Sequence, residues 1–325
     1  MTARARSAAL GLALLSSLCF GSSGAFAKAL IHDGFSPLQA VWLRVAGAAL
    51  VLVPVTLALR GGTAFRAARR SGGLPLLVVF GLTGVAGCQA FYFIAAARLP
   101  VGVAILLEYT GPLLVVAWIR FVRRMPVAPS AATGVAVALA GVACVVQVWA
   151  GLRLDGIGLL AGLGAAAFQA AYFLIAKRMT TADIDPLVLT SAGFVVGTVA
   201  LTVVSAPWSI PWRLLPAGVT IAGQSAPGWL VAAWIILVST VIAYVTSVLV
   251  VQRLPAPVAA AVGYPEVVAA ALFAWVVLGE GLAAVQIAGG LIVLVGAFIA
   301  QRAVATDRPV AVSADDPAPA PAAAR

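Results

Sequence analysis

The chain has 325 residues, 63% of them hydrophobic and 9% charged, with a formal net charge of +10; its mean hydropathy is +1.11. Length alone would suggest two or three soluble domains, but this composition excludes them and describes a polytopic membrane protein built from apolar spans of about 20 residues. Cys19, Cys88 and Cys144 all lie in apolar runs without metal-ligand spacing, so they read as small core residues and indicate neither a disulfide framework nor a metal site.

Arg4 and Arg6 precede an apolar run that ends in Ala25-Phe26-Ala27, the layout of a secretory leader. An internal repeat argues against cleavage there, because cleavage would remove a helix that has a counterpart later. Apolar runs separated by polar or Gly/Pro breaks predict ten helices over roughly 8–31, 37–59, 74–97, 101–120, 128–149, 157–177, 186–206, 228–252, 257–278 and 282–302. Helices satisfy their own backbone polar groups in lipid, which favours them over any open sheet. From about 303 to 325 the chain turns to Ala, Pro and Asp and is expected to be a disordered tail.

Two copies are visible along the chain. Lys28 and Pro37 recur as Lys177 and Pro186, a shift of 149 residues. Arg98-Leu99-Pro100 then recurs as Arg253-Leu254-Pro255, Val103-Ala104 as Val258-Ala259 and Tyr109 as Tyr264, now at a shift of 155. Gly134 and Gly141 recur as Gly289 and Gly296 at the same shift, so one six-residue change in the loop around 207–227 reconciles the series. Each copy, 8–149 and 157–302, holds five helices. An odd number forces the second copy to enter the membrane inverted relative to the first, the architecture in which carriers place their site near the midplane between repeats. The expected fold is therefore all-α, ten transmembrane helices as two inverted five-helix repeats.

Ten spans put both termini on one side. With cytoplasmic termini that side carries fifteen Lys and Arg residues, and the other carries four: Lys28, Arg98, Arg153 and Arg213. The positive-inside rule then sets the orientation. It also assigns the basic balance to topology and anionic lipid contact, leaving no reason to expect nucleic acid binding.

Energy sources and catalysis are poorly represented. The only lysines, Lys28 and Lys177, each follow Ala, so the Gly-rich phosphate loop of an ATPase is missing and no cofactor is expected. His32 is the only histidine and sits with Asp33 in a turn, and no acid–base set or metal cluster accompanies it. The polar residues inside the spans remain. Glu108 falls in Leu107-Glu108-Tyr109-Thr110-Gly111-Pro112, where Pro112 frees the Glu108 carbonyl from helical bonding. A charge at membrane depth costs about 2.5–3.5 kcal/mol on insertion scales and faces a partner or a wet site. Arg44, Gln89 and Glu108 lie at one depth on three successive helices, about 10–12 Å below the less basic face. Arg44 and Glu108 are thus either a self-satisfied ion pair or a site for a substrate's carboxylate and ammonium. Glu266 follows Tyr264-Pro265, a break that mirrors Gly111-Pro112, and has no basic counterpart because Gly193 stands where Arg44 stands in the first copy. Desolvation disfavours a charged carboxylate without a cation, so Glu266 is the candidate for a coupling proton. Trp42, Tyr92, Tyr109, Gln169, Tyr172, Tyr244 and Tyr264 add a candidate substrate lining. Gly158 and Gly162 would allow a close helix approach, and Trp208, Trp212 and Trp229 would anchor the 207–227 loop at the interface.

Leu43-Arg44, the Arg98-Leu99-Pro100 to Glu108-Tyr109-Thr110-Gly111-Pro112 run and Leu278-Gly279-Glu280 together resemble the drug/metabolite transporter superfamily, EamA type, over roughly 8–302. The Leu107-Glu108-Tyr109-Thr110-Gly111-Pro112-Leu113 run is most similar to the threonine/homoserine exporter branch. The resemblance implies a bacterial inner-membrane carrier, not an enzyme, that exports a small metabolite such as an amino acid and meets membrane lipids; a homodimer is left open. Import of a nucleoside, sugar or cationic compound, or a membrane-embedded lipid-modifying enzyme, are the alternatives. The first copy departs from the pattern by carrying Arg123-Arg124-Met125 where the second has Leu278-Gly279-Glu280. Glu280 is therefore expected to be a structural cap near the last helix.

Overall fold

The structure is a computed structural model, and it describes residues 3–70, 73–147, 149, 155–181, 184–253 and 263–306. Ten helices follow one another: α1 (Ala3–His32), α2 (Pro37–Arg70), α3 (Leu74–Arg98), α4 (Val101–Val122), α5 (Pro129–Val146), α6 (Gly156–Thr181), α7 (Pro186–Ser205), α8 (Gly228–Val250), α9 (Pro265–Leu278) and α10 (Ala284–Thr306). Among the described residues nine of them are long and apolar enough to cross a membrane, and α9 is a shorter apolar helix. Pro255, Val258 and Ala259, which carry part of the repeat signal, lie outside the described residues. So do the first residues expected for the ninth helix and the tail from 307 onward.

The packing of the helices repeats with the sequence. α1 lies on α9 as α6 lies on α4, and α3 lies on α6 as α8 lies on α1; α2 pairs with α7, its counterpart, and α5 with α10. The recurrent glycines let α5 and α10 pack backbone against backbone. A Cβ on Gly134 would stand 2.5 Å from the Ala300 nitrogen and one on Gly141 2.5 Å from the Val293 nitrogen. A Cβ on Gly289 would meet Cys144 and one on Gly296 would meet Ala138. The contacts run in opposite order along the two helices, which makes the pair antiparallel. Small residues of this kind let backbones touch in lipid, where van der Waals packing replaces the hydrophobic drive between helices. Gly158 and Gly162 act likewise, with Leu99 and Leu107 occupying the room their missing side chains leave.

Several local features depart from a plain helical reading. α2 does not stop near 59. It turns at Gly61 (φ 69°, ψ 166°), a conformation open to glycine, and continues to Arg70. α3 and α8 each widen into a π-helical stretch, Gly81–Gly87 and Trp234–Ile242, and α4 ends in another, Trp118–Val122. The 207–227 connection, which the sequence presents as a loop, contains two antiparallel strands, β1 (Gly218–Ile221) and β2 (Gln224–Pro227). Ala222 and Gly223, at φ 50° and 75°, form the tight two-residue turn that suits a hairpin. The hairpin rests on the ends of α1 and α9, through Thr220 N–H to Asp33 at 3.2 Å and Ala222 N–H to the Val277 carbonyl at 2.8 Å. Trp208, Trp212 and Trp229 beside it are exposed, as interfacial anchors require. Finally, α10 continues to Thr306, past the expected end at 302.

Candidate functional site

The two sequence breaks meet. α4 loses its regular α form after Glu108; Tyr109 and Thr110 make a turn, and the helix resumes at Gly111-Pro112. The Thr110 hydroxyl donates to the Leu107 carbonyl at 2.6 Å and steadies the turn. In the second repeat Gly263 and Tyr264 form the corresponding turn before Pro265 opens α9. Glu266 therefore sits in the first turn of the described helix, where the helix dipole favours an acid. The Tyr109 hydroxyl lies 2.8 Å from the Gly263 carbonyl and 3.0 Å from Glu266 Oε2, joining the break of one repeat to the acid of the other. The Tyr109 and Tyr264 rings stand 5.9 Å apart, and Tyr264 packs on Phe298 and donates to Gln301 Oε1 at 2.9 Å.

Glu108 has its own set of neighbours. Its Oε1 accepts from Cys88 Sγ at 3.3 Å and from Gln169 Nε2 at 3.4 Å, and Gln169 also fills the space beside Gly111. Cys88 is thus more than the small core residue its apolar run suggests. It reaches Glu108 because it follows the π-helical stretch of α3. One extra residue in a turn rotates everything after it by about 100° relative to an unbroken helix. That rotation sends Cys88 to Glu108 and Gln89 to Arg44.

Arg44 does not pair with Glu108. Its Nε donates to Thr240 Oγ1 at 2.8 Å, one terminal nitrogen to Gln89 Oε1 at 2.7 Å and the other to the Ser239 carbonyl at 3.2 Å. Phe93 covers the guanidinium at 5.5 Å, and the residue is 2% exposed. Among the described residues the ion pairs are Lys28–Glu280, Arg60–Asp185 and Arg98–Asp155. Arg44 nonetheless stands within electrostatic reach of both Glu108 and Glu266. In this structure it acts as a fixed countercharge, with no donor presented to a substrate carboxylate. Gly193, its counterpart, is filled by the Phe80 ring, so the second repeat has no room for the same cation. A lysine cannot span three partners arranged as a fork. Arg44→Lys is therefore expected to destabilise the chain by about 2 kcal/mol or more, read as a lower melting temperature in detergent.

The remaining candidates divide. Tyr109, Tyr264, Gln169 and the two acids gather at the junction. Trp42 donates to Thr202 Oγ1 at 2.8 Å and ties α2 to α7. Tyr92 is buried, with its hydroxyl filling the space beside Gly24. Tyr172 packs on Phe80 and Phe173, and Tyr244 makes edge contacts with Phe20 and Phe194 at 4.9 Å. Tyr92 is thus part of the core, while Trp42, Tyr172 and Tyr244 are half-buried and pack against it. Glu280 does cap a helix, but α4 rather than α10. It accepts from Val101 N–H at 2.9 Å and pairs with Lys28 at 2.5 Å, while Gln286 serves the start of α10 by accepting from Ala283 N–H at 3.0 Å. Sequence reasoning missed Cys88, Ser239 and Thr240; the last two carry no charge and gain meaning only from Arg44. Among the described residues no group of three His, Cys, Asp or Glu side chains could hold a metal.

The fold is shared with a solved crystal structure at a TM-score of 0.57 and 22% sequence identity, over 93% of this chain and 99% of that one. The comparison with curated proteins returns no match. The profile of the EamA-like transporter family matches twice, over residues 7–147 and 156–301, the two copies found in the sequence. With both repeats matched and their breaks joined through Tyr109 and Glu266, the chain belongs to the EamA-like transporter family.

Proposed function

We propose that this membrane transporter is a secondary-active carrier of the bacterial inner membrane, with both termini cytoplasmic, that exports a small amine-bearing metabolite by alternating access. An amino acid of the threonine/homoserine kind is the starting substrate for tests, because the Leu107-Glu108-Tyr109-Thr110-Gly111-Pro112 run favours that branch. The observation that carries the reading is the Tyr109 hydroxyl shared between Gly263 and Glu266. It couples an acid of one repeat to the broken helix of the other, where a motion between repeats must be felt.

The hydroxyl has one hydrogen and two groups in reach. The Gly263 carbonyl can only accept, so the set is complete when Tyr109 donates to it and a protonated Glu266 donates to the Tyr109 oxygen. This supports a coupling proton on Glu266 and leaves Glu108 for the substrate ammonium. Proteoliposomes test it. With Glu266→Gln, uptake driven by a pH gradient is expected to fall to the level of empty vesicles, while substrate exchange without a gradient persists. Gradient-driven uptake equal to wild type would remove Glu266 from coupling. Metabolite profiling of medium from cells with and without the protein identifies what leaves.

A further inference from the structure

The charges at the junction do not balance, and the imbalance bears on the class of substrate. Glu108 adjoins Tyr109, whose hydroxyl lies 3.0 Å from Glu266 Oε2, and both acids are partly exposed residues. Among the described residues Arg44 is the basic side chain that joins this cluster, through Gln89, which adjoins the Cys88 bonded to Glu108, and it is sealed by Gln89, Thr240, Ser239 and Phe93. The other ionisable groups beside the acids, Cys88 and Tyr109, act as neutral donors. With both acids ionised the cluster carries one uncompensated negative charge. In a poorly solvated site such a charge is costly and is relieved by one positive charge.

We infer that the site takes a singly charged organic cation, recognised through its ammonium by Glu108 and the Tyr109 and Tyr264 rings, with no requirement for a free carboxylate. This rests on the transport reading above and narrows it. A zwitterion brings a carboxylate along with its ammonium, and Arg44 has no donor turned outward to receive it. An amine, or an amino acid whose carboxylate is masked as an ester or amide, brings only the missing charge. Aromatic faces within about 6 Å of a cation strengthen the attraction. When no substrate is bound a proton supplies the same charge, so a proton and an ammonium alternate.

The test is calorimetric binding to the full chain in detergent, with three forms each of threonine, leucine and phenylalanine. These are the free amino acid, its methyl ester and its N-acetyl derivative. At least one ester is expected to bind at least about tenfold more tightly than its parent, and no N-acetyl derivative is expected to bind. Glu108→Gln is expected to lose ester binding, and Glu108→Asp, which keeps the charge, is expected to retain part of it. Free acids that outbind their esters, binding of an N-acetyl derivative, unchanged ester binding in Glu108→Gln or no binding by any ester would each overturn the inference. Proteoliposome flux of the same probes separates the two readings. Movement of the free or N-acetylated acids without movement of any ester keeps the carrier and rejects the charge class, whereas vesicles across which no probe moves reject the carrier itself.

Discussion

Replacing Glu280 with alanine is expected to cost the folded chain about 3–5 kcal/mol, because it strands the Lys28 ammonium in a buried place. Lys28 is 7% exposed, and its other contact, the Leu99 carbonyl at 2.7 Å, cannot neutralise it. The same change removes the acceptor for Val101 N–H at the start of α4 and adds about 1 kcal/mol, the usual value of a lost helix cap. Glu280→Gln should fall between wild type and Glu280→Ala, since an amide oxygen can still accept from Val101. Lys28→Met combined with Glu280→Gln should recover much of the loss, because no lone charge is then buried. Melting temperatures in one detergent rank the four proteins. Equal loss in Glu280→Ala and in the double variant would mean that the pair is not what holds the ends of α1, α4 and α9 together.

The second large effect is expected along the α5–α10 seam. Leucine at Gly141 or Gly289 places a branched side chain where a Cβ alone already stands 2.5 Å or 2.6 Å from its neighbours. Backbone cannot yield as a flexible side chain can, so the helices must part. Overpacking of this kind costs about 1–3 kcal/mol, and more where the backbone is the obstacle. Folded yield and melting temperature should both drop for either variant. Gly281→Leu is the control, because nothing stands within 4 Å of a Cβ at that position. Normal yield and melting temperature for Gly141→Leu would show that α5 and α10 are not held by this contact.

The sequence reveals this architecture wherever a signal is additive along the chain. Apolar runs of about 20 residues survive local noise, and the paired Gly134/Gly289 and Gly141/Gly296 make the duplication plain from residue spacing alone. Glu108 and Glu266 stand out for a related reason, as isolated charges in apolar runs. What stays hidden depends on geometry that one residue changes. Nothing in Gly81-Leu82-Thr83-Gly84-Val85-Ala86-Gly87 announces a widened turn, so a uniform helical reading aims Cys88 and Gln89 wrongly and pairs Arg44 with the nearest acid at its depth. Neutral partners win Arg44 because Ser239 and Thr240 come with a second widened turn in α8, in which the Thr240 hydroxyl bonds the Ile235 carbonyl five residues back at 2.8 Å. Glu280 is legible as a cap. Which helix it caps depends on how α1, α4 and α9 converge, and no local pattern records that.

The widened turns of α3 and α8 have a history to tell. Shifted by the 155 residues that align this part of the copies, Gly81–Gly87 falls on 236–242, inside the π-helical stretch Trp234–Ile242 of α8. The six-residue change that reconciles the two shifts lies earlier, in the connection that became the hairpin. An extra residue inserted independently into α3 and into α8 would have to land at the same turn twice. The economical account is that the ancestral half already carried the widened turn when it was doubled. Arg44 and Gly193 then mark a divergence of the copies, as one holds a cation beside its partner's widened turn and the other has that place filled by the Phe80 ring.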